Sequence, residues 1–207
     1  MAEADKSHEK EAATGLAGLA AAAQSAGGRT LPPVHLWNPP HCGDIGLRIT
    51  CDGVWHYQGS PIGRAPLVKL FASILRKDPE GHVLVTPVEK ISIEVEDAPF
   101  LAVALEVQNA GTAEQTVTFR TNLDDEAVAG PDHPLRFEPG ASGGLKPYVL
   151  VRGDLWALAT RPVYYELATL GEIATVDGAA LFGVRSRGQF FPMCRADSLE
   201  SSFGVEA

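Results

Sequence analysis

Apolar positions along this chain follow two periods, and the switches between them mark out its elements. Between Pro61 and Lys77, the residues Leu67, Leu70, Phe71, Ile74 and Leu75 recur at helical spacing. That pattern predicts an amphipathic helix with this stripe turned to the core. Asp78-Pro79-Glu80-Gly81 ends it. From Val83 to about Phe137 the period drops to two. Val83-Leu84-Val85 opens the run, and Ile91, Ile93 and Val95 then alternate with Ser92, Glu94 and Glu96, the signature of a half-buried strand. Phe100–Val107 and Thr116–Arg120 predict further strands, divided by Asn109-Ala110-Gly111. A second helical pattern covers Val163–Ile173, followed by Gly178 and the strand-like Leu181-Phe182. Near the start, Leu16, Leu19 and Ala23 predict a helix over roughly Glu9–Ser25 behind a frayed end. The prolines of Leu31–Pro40 forbid helix or central strand, which leaves an extended arm pinned by Trp37.

The same order of elements occurs twice, around Trp55 and Trp156. A strand-like run, a turn (Asp52-Gly53, then Gly153-Asp154), a tryptophan strand, a proline (Pro61, Pro162), a helix and a strand follow one another in both. This argues for an α+β chain of two tandem units that share a duplicated β-β-α-β core with antiparallel sheets. The expected parts are a frayed terminus and alanine-rich helix (1–30), a first unit (31–88), a strand-rich second unit (89–198) and a tail (199–207).

The 207 residues carry a net charge of −9, which disfavours nucleic acid and anionic membrane surfaces as partners. No apolar run approaches a bilayer span. The opening Met1-Ala2-Glu3-Ala4-Asp5-Lys6 lacks the basic-then-apolar order of a secretory leader. Cys42, Cys51 and Cys194 form an odd set without a C-x-x-C pair, as expected of free thiols in a reducing cytoplasm.

Most chemical candidates have plainer readings. Gly140-Ala141-Ser142-Gly143-Gly144 has nucleophile-elbow spacing, but Pro139 precedes it and a strand follows, so a loop is expected. His35, His41, Cys42, Cys51 and His56 lie close in sequence with no zinc-site spacing, and no metal or cofactor is expected. The two tryptophans are read as core, Glu94 and Glu96 as a solvent row, and Asp124-Asp125-Glu126 as a solvated acidic loop. There is no Walker loop and no dinucleotide fingerprint. One constellation survives: Arg64 and Arg161 each stand at a helix start, where unpaired N–H groups and a guanidinium together suit an anion. Between Leu145 and Arg195, Lys146, Arg152, Arg161, Arg185, Arg187 and Arg195 outnumber Asp154, Glu166, Glu172 and Asp177, a local positive excess with Tyr164 and Tyr165 available for stacking.

Several segments together resemble the bacterial domain-of-unknown-function family numbered 1285. They are Trp37-Asn38-Pro39-Pro40, the run Asp52-Gly53-x-Trp55-x-Tyr57-x-Gly59-x-Pro61-Ile62-x-Arg64, Leu70-Phe71, Thr86-Pro87-Val88-Glu89-Lys90, Val95–Phe100 and Arg161–Leu167. The resemblance spans roughly residues 31–195; Gly46 departs from it, standing where an acidic residue is expected. It implies a cytoplasmic bacterial protein with a duplicated core and a C-terminal unit loosely similar to pleckstrin-homology folds. It also implies a nucleotide-like ligand at the interface of the units and a role in signal transduction.

Two function classes follow. The first is a non-catalytic, ligand-binding regulatory protein that holds an anionic small molecule with Arg64, Thr86, Glu89, Lys90, Arg161 and Tyr164. The alternative is an enzyme acting on a small anionic substrate in the same cleft, with Glu89 or Asp97 as acid/base.

Overall fold

The computed structural model describes residues 15–25, 31–140 and 144–198. The chain divides between Asp97 and Ala98. The expected starts at Glu9, the Gly27-Gly28 end of the first part, Ser142 and the tail at 199–207 lie outside the described residues.

The first unit opens with helix α1 (residues 15–25) and a single 3-10 turn, Val34–Leu36. There follow β1 (His41–Ile49), β2 (Trp55–Tyr57), β3 (Ser60–Pro61), α2 (Ala65–Ser73), β4 (Leu75–Asp78), β5 (Gly81–Val85) and β6 (Lys90–Val95). These strands make one sheet in the order β3-β2-β1-β6-β5-β4. All neighbours are antiparallel except β1 and β6, which run parallel. The antiparallel expectation therefore needs correction. β6 returns along β1 only after the chain has crossed through α2 and the β4–β5 hairpin. Because β6 pairs with both β1 and β5, it belongs to the first unit, and the boundary expected at 88/89 moves to 97/98.

The Asp52-Gly53 turn links β1 to β2 as expected, with the Gly53 N–H donating to the Thr50 carbonyl at 2.8 Å. Within β1, two register shifts interrupt the pairing with β6. Gly46 lies there at φ +78°, with Gln58 Cγ 3.3 Å from where a Cβ would sit. That backbone conformation favours glycine and accounts for the departure noted in the sequence.

Helix α2 stops at Ser73, short of the expected Lys77, because Leu75–Asp78 pairs with β5 across the two-residue turn Pro79-Glu80. Sheet pairing overrides the helical spacing of Leu75. The stripe is also rotated: Val68, Phe71 and Ala72 are buried, whereas Leu67 and Leu70 are only half-buried. Phe71 stacks on Trp55 with ring centroids 6.4 Å apart. Ile74, Leu75, Leu84, Ile91 and Ile93 complete this core.

The second unit contains β7 (Phe100–Gln108), β8 (Thr116–Thr121), β9 (Glu126–Val128), β10 (Leu135–Pro139), β11 (Leu145–Arg152), β12 (Leu155–Ala159), α3 (Arg161–Thr169), β13 (Glu172–Val176), β14 (Ala179–Ser186) and β15 (Gln189–Arg195). Six strands form a sheet in the order β10-β11-β12-β7-β8-β9, again with one parallel pair, β12 and β7. The last three form a separate antiparallel sheet. Buried Ser186 ties the two sheets together: its hydroxyl donates to the Ala129 carbonyl (2.7 Å) and accepts from the Val117 N–H (3.0 Å).

Three expectations change here. Helix α3 ends at Thr169, and Ile173 lies in β13 at 61% exposure. Glu126 begins β9 rather than lying in a loop, since it pairs with Arg120. Trp156 is not core in the way Trp55 is, because Leu155 and Ala157 take the buried face of β12 and leave its ring half-buried. The Arg136 guanidinium covers that ring at 4.3 Å and the Tyr148 ring at 4.7 Å. The Gly140 N–H donates to the Gly144 carbonyl at 2.6 Å, and Leu145 begins β11 rather than the helix that an elbow requires.

Candidate functional site

The anion-binding constellation begins at the two helix starts. Arg64 is the extended residue that precedes α2, and Arg161 is the first helical residue of α3, after Thr160. Each helix has proline in its first turn, no acidic residue there and no side-chain cap. Proline removes one N–H from each first turn and the Leu67 N–H already donates to the Arg64 carbonyl at 2.9 Å, so what each start offers an anion is chiefly the positive end of the helix beside a guanidinium. Neither arginine forms an ion pair with another described residue. On α3, Tyr164 packs its ring 5.6 Å from that of Tyr165. Burial pushes the Tyr164 hydroxyl upward, against the opposing effect of a hydrogen bond from the Leu145 backbone.

Thr86 holds a turn rather than facing solvent. It is fully buried, its hydroxyl accepts from the N–H groups of Val88 (3.4 Å) and Glu89 (3.2 Å), and its own N–H donates to the Glu89 carbonyl (2.9 Å). The reason for the Thr-Pro-Val-Glu-Lys segment is therefore structural at its first position. This turn follows Val85, whose N–H donates to the Ile74 carbonyl just past the end of α2. Arg64 stands at the other end of that nine-residue helix, about 13 Å away by helical rise. The structure thus groups Thr86, Glu89 and Lys90, and sets Arg64 apart from them within the first unit.

Lys90 joins a cluster that the sequence did not reveal. Asp78 receives a two-pronged bond from Arg76 (2.6 and 2.9 Å) and a bond from Lys90 Nζ (3.2 Å). These groups are largely buried, at 12–20% side-chain exposure. The Arg76 guanidinium, with Lys90 adding to it, holds the Asp78 carboxyl below its ordinary range despite burial. Arg76 also donates to the carbonyls of Val34 and Trp37, both at 2.7 Å. Arg76 therefore holds the arm through its backbone, at Val34 and Trp37, and the Trp37 side chain is half-buried. Beside the cluster lies a cleft of about 280 Å³ lined by His41, Asp78, Glu80, His82, Lys90 and Ser92 among others. In it His41 Nε2 meets the Ser92 hydroxyl at 2.8 Å.

His82 gives this region a pH signature. Burial, with Lys77 adding to it, pushes its imidazole down to about 4. The folded chain keeps the ring neutral while the unfolded chain takes up a proton near 6.5, so stability falls as pH drops from about 6.5 to about 4. The slope is at most about 1.4 kcal/mol per pH unit, reduced by the partial exposure of the ring. Denaturation followed from pH 7 to 4 should show this loss, and His82→Gln should flatten it. A wild-type curve level across that window contradicts the assignment.

The expected positive excess between Leu145 and Arg195 is largely neutralised. Arg185 pairs with Glu172 (2.8 Å), Arg152 with Asp125 (2.8 Å) and Arg195 with Asp197 (3.2 Å). Two of those carboxylates come from outside the counted window, which is why the count misled. Glu94 and Glu96 are both exposed, as expected of a solvent row, and Arg48 pairs with both. The Cys51 N–H also bonds Glu96 and, more than Arg48, holds its carboxyl low. Among the described residues no three His, Cys, Asp or Glu side chains gather as a metal site, and no helix is long and apolar enough to cross a membrane.

Comparison with known proteins bears on the whole chain. The family model described as the N-terminal domain of the domain of unknown function DUF1285 matches residues 32–98, and that of its C-terminal domain matches residues 99–193. The chain belongs to the DUF1285 family. A solved DUF1285 family protein from Silicibacter pomeroyi DSS-3 is 46% identical, with a TM-score of 0.80 over 88% of this chain and 97% of that one. Another, from Shewanella baltica OS155, is 27% identical over 61% of this chain and 92% of its own, with a TM-score of 0.47. No curated protein matches the chain. The two DUF1285 models meet at 98/99, beside the division between Asp97 and Ala98.

Proposed function

We propose that this DUF1285 protein is a non-catalytic, ligand-binding regulatory protein of bacterial signal transduction, and that its ligand is an anionic, nucleotide-like small molecule. The observation that carries this reading is the state of Arg64 and Arg161. Each is an arginine without an ion-pair partner among the described residues, beside a helix start that has neither a side-chain cap nor an acid in its first turn. A guanidinium beside the positive end of a helix is an arrangement that suits phosphate or carboxylate. The recurrence of this arrangement, and of a strand pair followed by a helix and a strand, fits a duplicated core, and we read the C-terminal unit as loosely pleckstrin-homology-like. Free thiols at Cys42, Cys51 and Cys194 fit a cytoplasmic setting.

An enzyme acting on a small anion is the second reading, with Glu89 or Asp97 as acid/base. Acid–base catalysis at neutral pH calls for a carboxylate raised toward 7.

The test is calorimetry with nucleotides and simple phosphates on the wild type, Arg64→Ala and Arg161→Ala. Loss of a charged hydrogen bond is worth about 1.5–3 kcal/mol, roughly a ten- to hundredfold fall in affinity. Equal binding by all three proteins overturns the reading.

A further inference from the structure

Leu67 and Leu70 are the two leucines of α2, and the core takes neither fully. They form one wall of an open groove of about 450 Å³, within the range of small-molecule sites. The opposite wall is α1. That helix commits Leu19 and Ala23 to the core, at 1% and 0% exposure. It turns the adjacent stripe of Leu16, Ala17, Ala20 and Ala21 to the groove. Three alanines facing two leucines leave the space that larger side chains would fill. Among the described lining, Gln24 and Arg64 are the polar side chains, and none is aromatic.

This lining has a chemical consequence. Arg64 supplies a positive charge without a partner among the described residues, so the occupant carries a negative head. The walls beyond it are aliphatic, so a bare phosphate would leave them empty, and a nucleobase would find neither an aromatic face nor a set of edge partners. We infer that the anion held at Arg64 is an amphiphile with an aliphatic body, of the class of medium-chain acyl carboxylates. This rests on the anion-binding reading of Arg64 and departs from it in the body of the ligand, which at this position is hydrocarbon and not nucleotide-like.

The experiment is calorimetry on the full chain with acetate, butanoate, hexanoate and octanoate, alongside adenosine monophosphate and inorganic phosphate. Each added methylene should tighten binding about fourfold until the groove is filled. Arg64→Ala should weaken octanoate at least tenfold. Ala21→Leu, a substitution between good helix formers at an exposed position, should shorten the series at which affinity stops rising. Leu67→Ser should lower the gain per methylene, and far-ultraviolet circular dichroism checks that both variants fold. If Arg64→Ala weakens phosphate or adenosine monophosphate while affinity does not rise with chain length, the amphiphile inference falls and the anion reading stands. If Arg64→Ala changes binding of none of these anions, both fall. A concentration-dependent dimer abolished by Ala21→Leu would assign the groove to a second copy and overturn the inference.

Discussion

Replacing Phe71 by alanine should destabilise the first unit by about 3–5 kcal/mol, the cost of deleting a buried aromatic ring and leaving a cavity. The ring is fully buried at 0% exposure and stacks on Trp55, itself at 1%. It stands where α2 meets the sheet, between Val68 and Ala72 on the helix and near the close of the element at Ser73. Neither partner can collapse readily into the void, because Trp55 is fixed in a strand paired with β1. Urea denaturation read by tryptophan fluorescence checks this. Leu70→Ala, half-buried in the same helix, serves as the comparison and should cost clearly less. Equal losses from the two substitutions would show that the helix face is wrongly oriented.

Asp78→Ala should cost on the order of 3 kcal/mol, because it leaves two largely buried cations without their counter-charge. Arg76 would also lose the carboxylate that orients it toward the carbonyls of Val34 and Trp37. Protease sensitivity of the arm should therefore rise together with the loss of stability. Acid should reproduce part of the effect. The folded pKa of Asp78 lies below its unfolded value, so its contribution is complete above about 4 and disappears as pH falls through the lower, folded value. That window lies below the His82 window, and the two losses should appear in succession on acidification. A double-mutant cycle between Asp78→Asn and Lys90→Met isolates the pair, and a coupling near zero would contradict the cluster.

How much of this was legible follows from which signals are local. Strand β6 is plain because Ile91 and Ile93 alternate with polar neighbours, and both are buried. The turn at Asp52-Gly53 and the start of each helix beside an arginine were equally local. Leu75 was misread because its position fits both a helical stripe and a strand, and only pairing with Leu84 decides between them. The Asp78 cluster was hidden for the same reason. Asp78 sits in a Pro-Glu-Gly context that reads as punctuation, while its partner Lys90 arrives from β6. Thr86 looks like a site residue in the sequence, but its hydroxyl is occupied by the turn. The positive excess counted after Leu145 failed because charges pair across strands, and counting along a window cannot see Asp125 beside Arg152.

The parallel contacts bear on how the chain is made. In the first unit β1 has its second neighbour only when β6 is available, and in the second unit β7 waits for β12. Each six-stranded sheet is thus completed by joining segments that leave the ribosome far apart in time. Loop closure over such separations slows assembly. A nascent chain halted before Lys90 should hold β1 with an open edge, exposed to mispairing. Once Asp97 has emerged, the first unit holds every strand of its own sheet before any strand of the second has emerged.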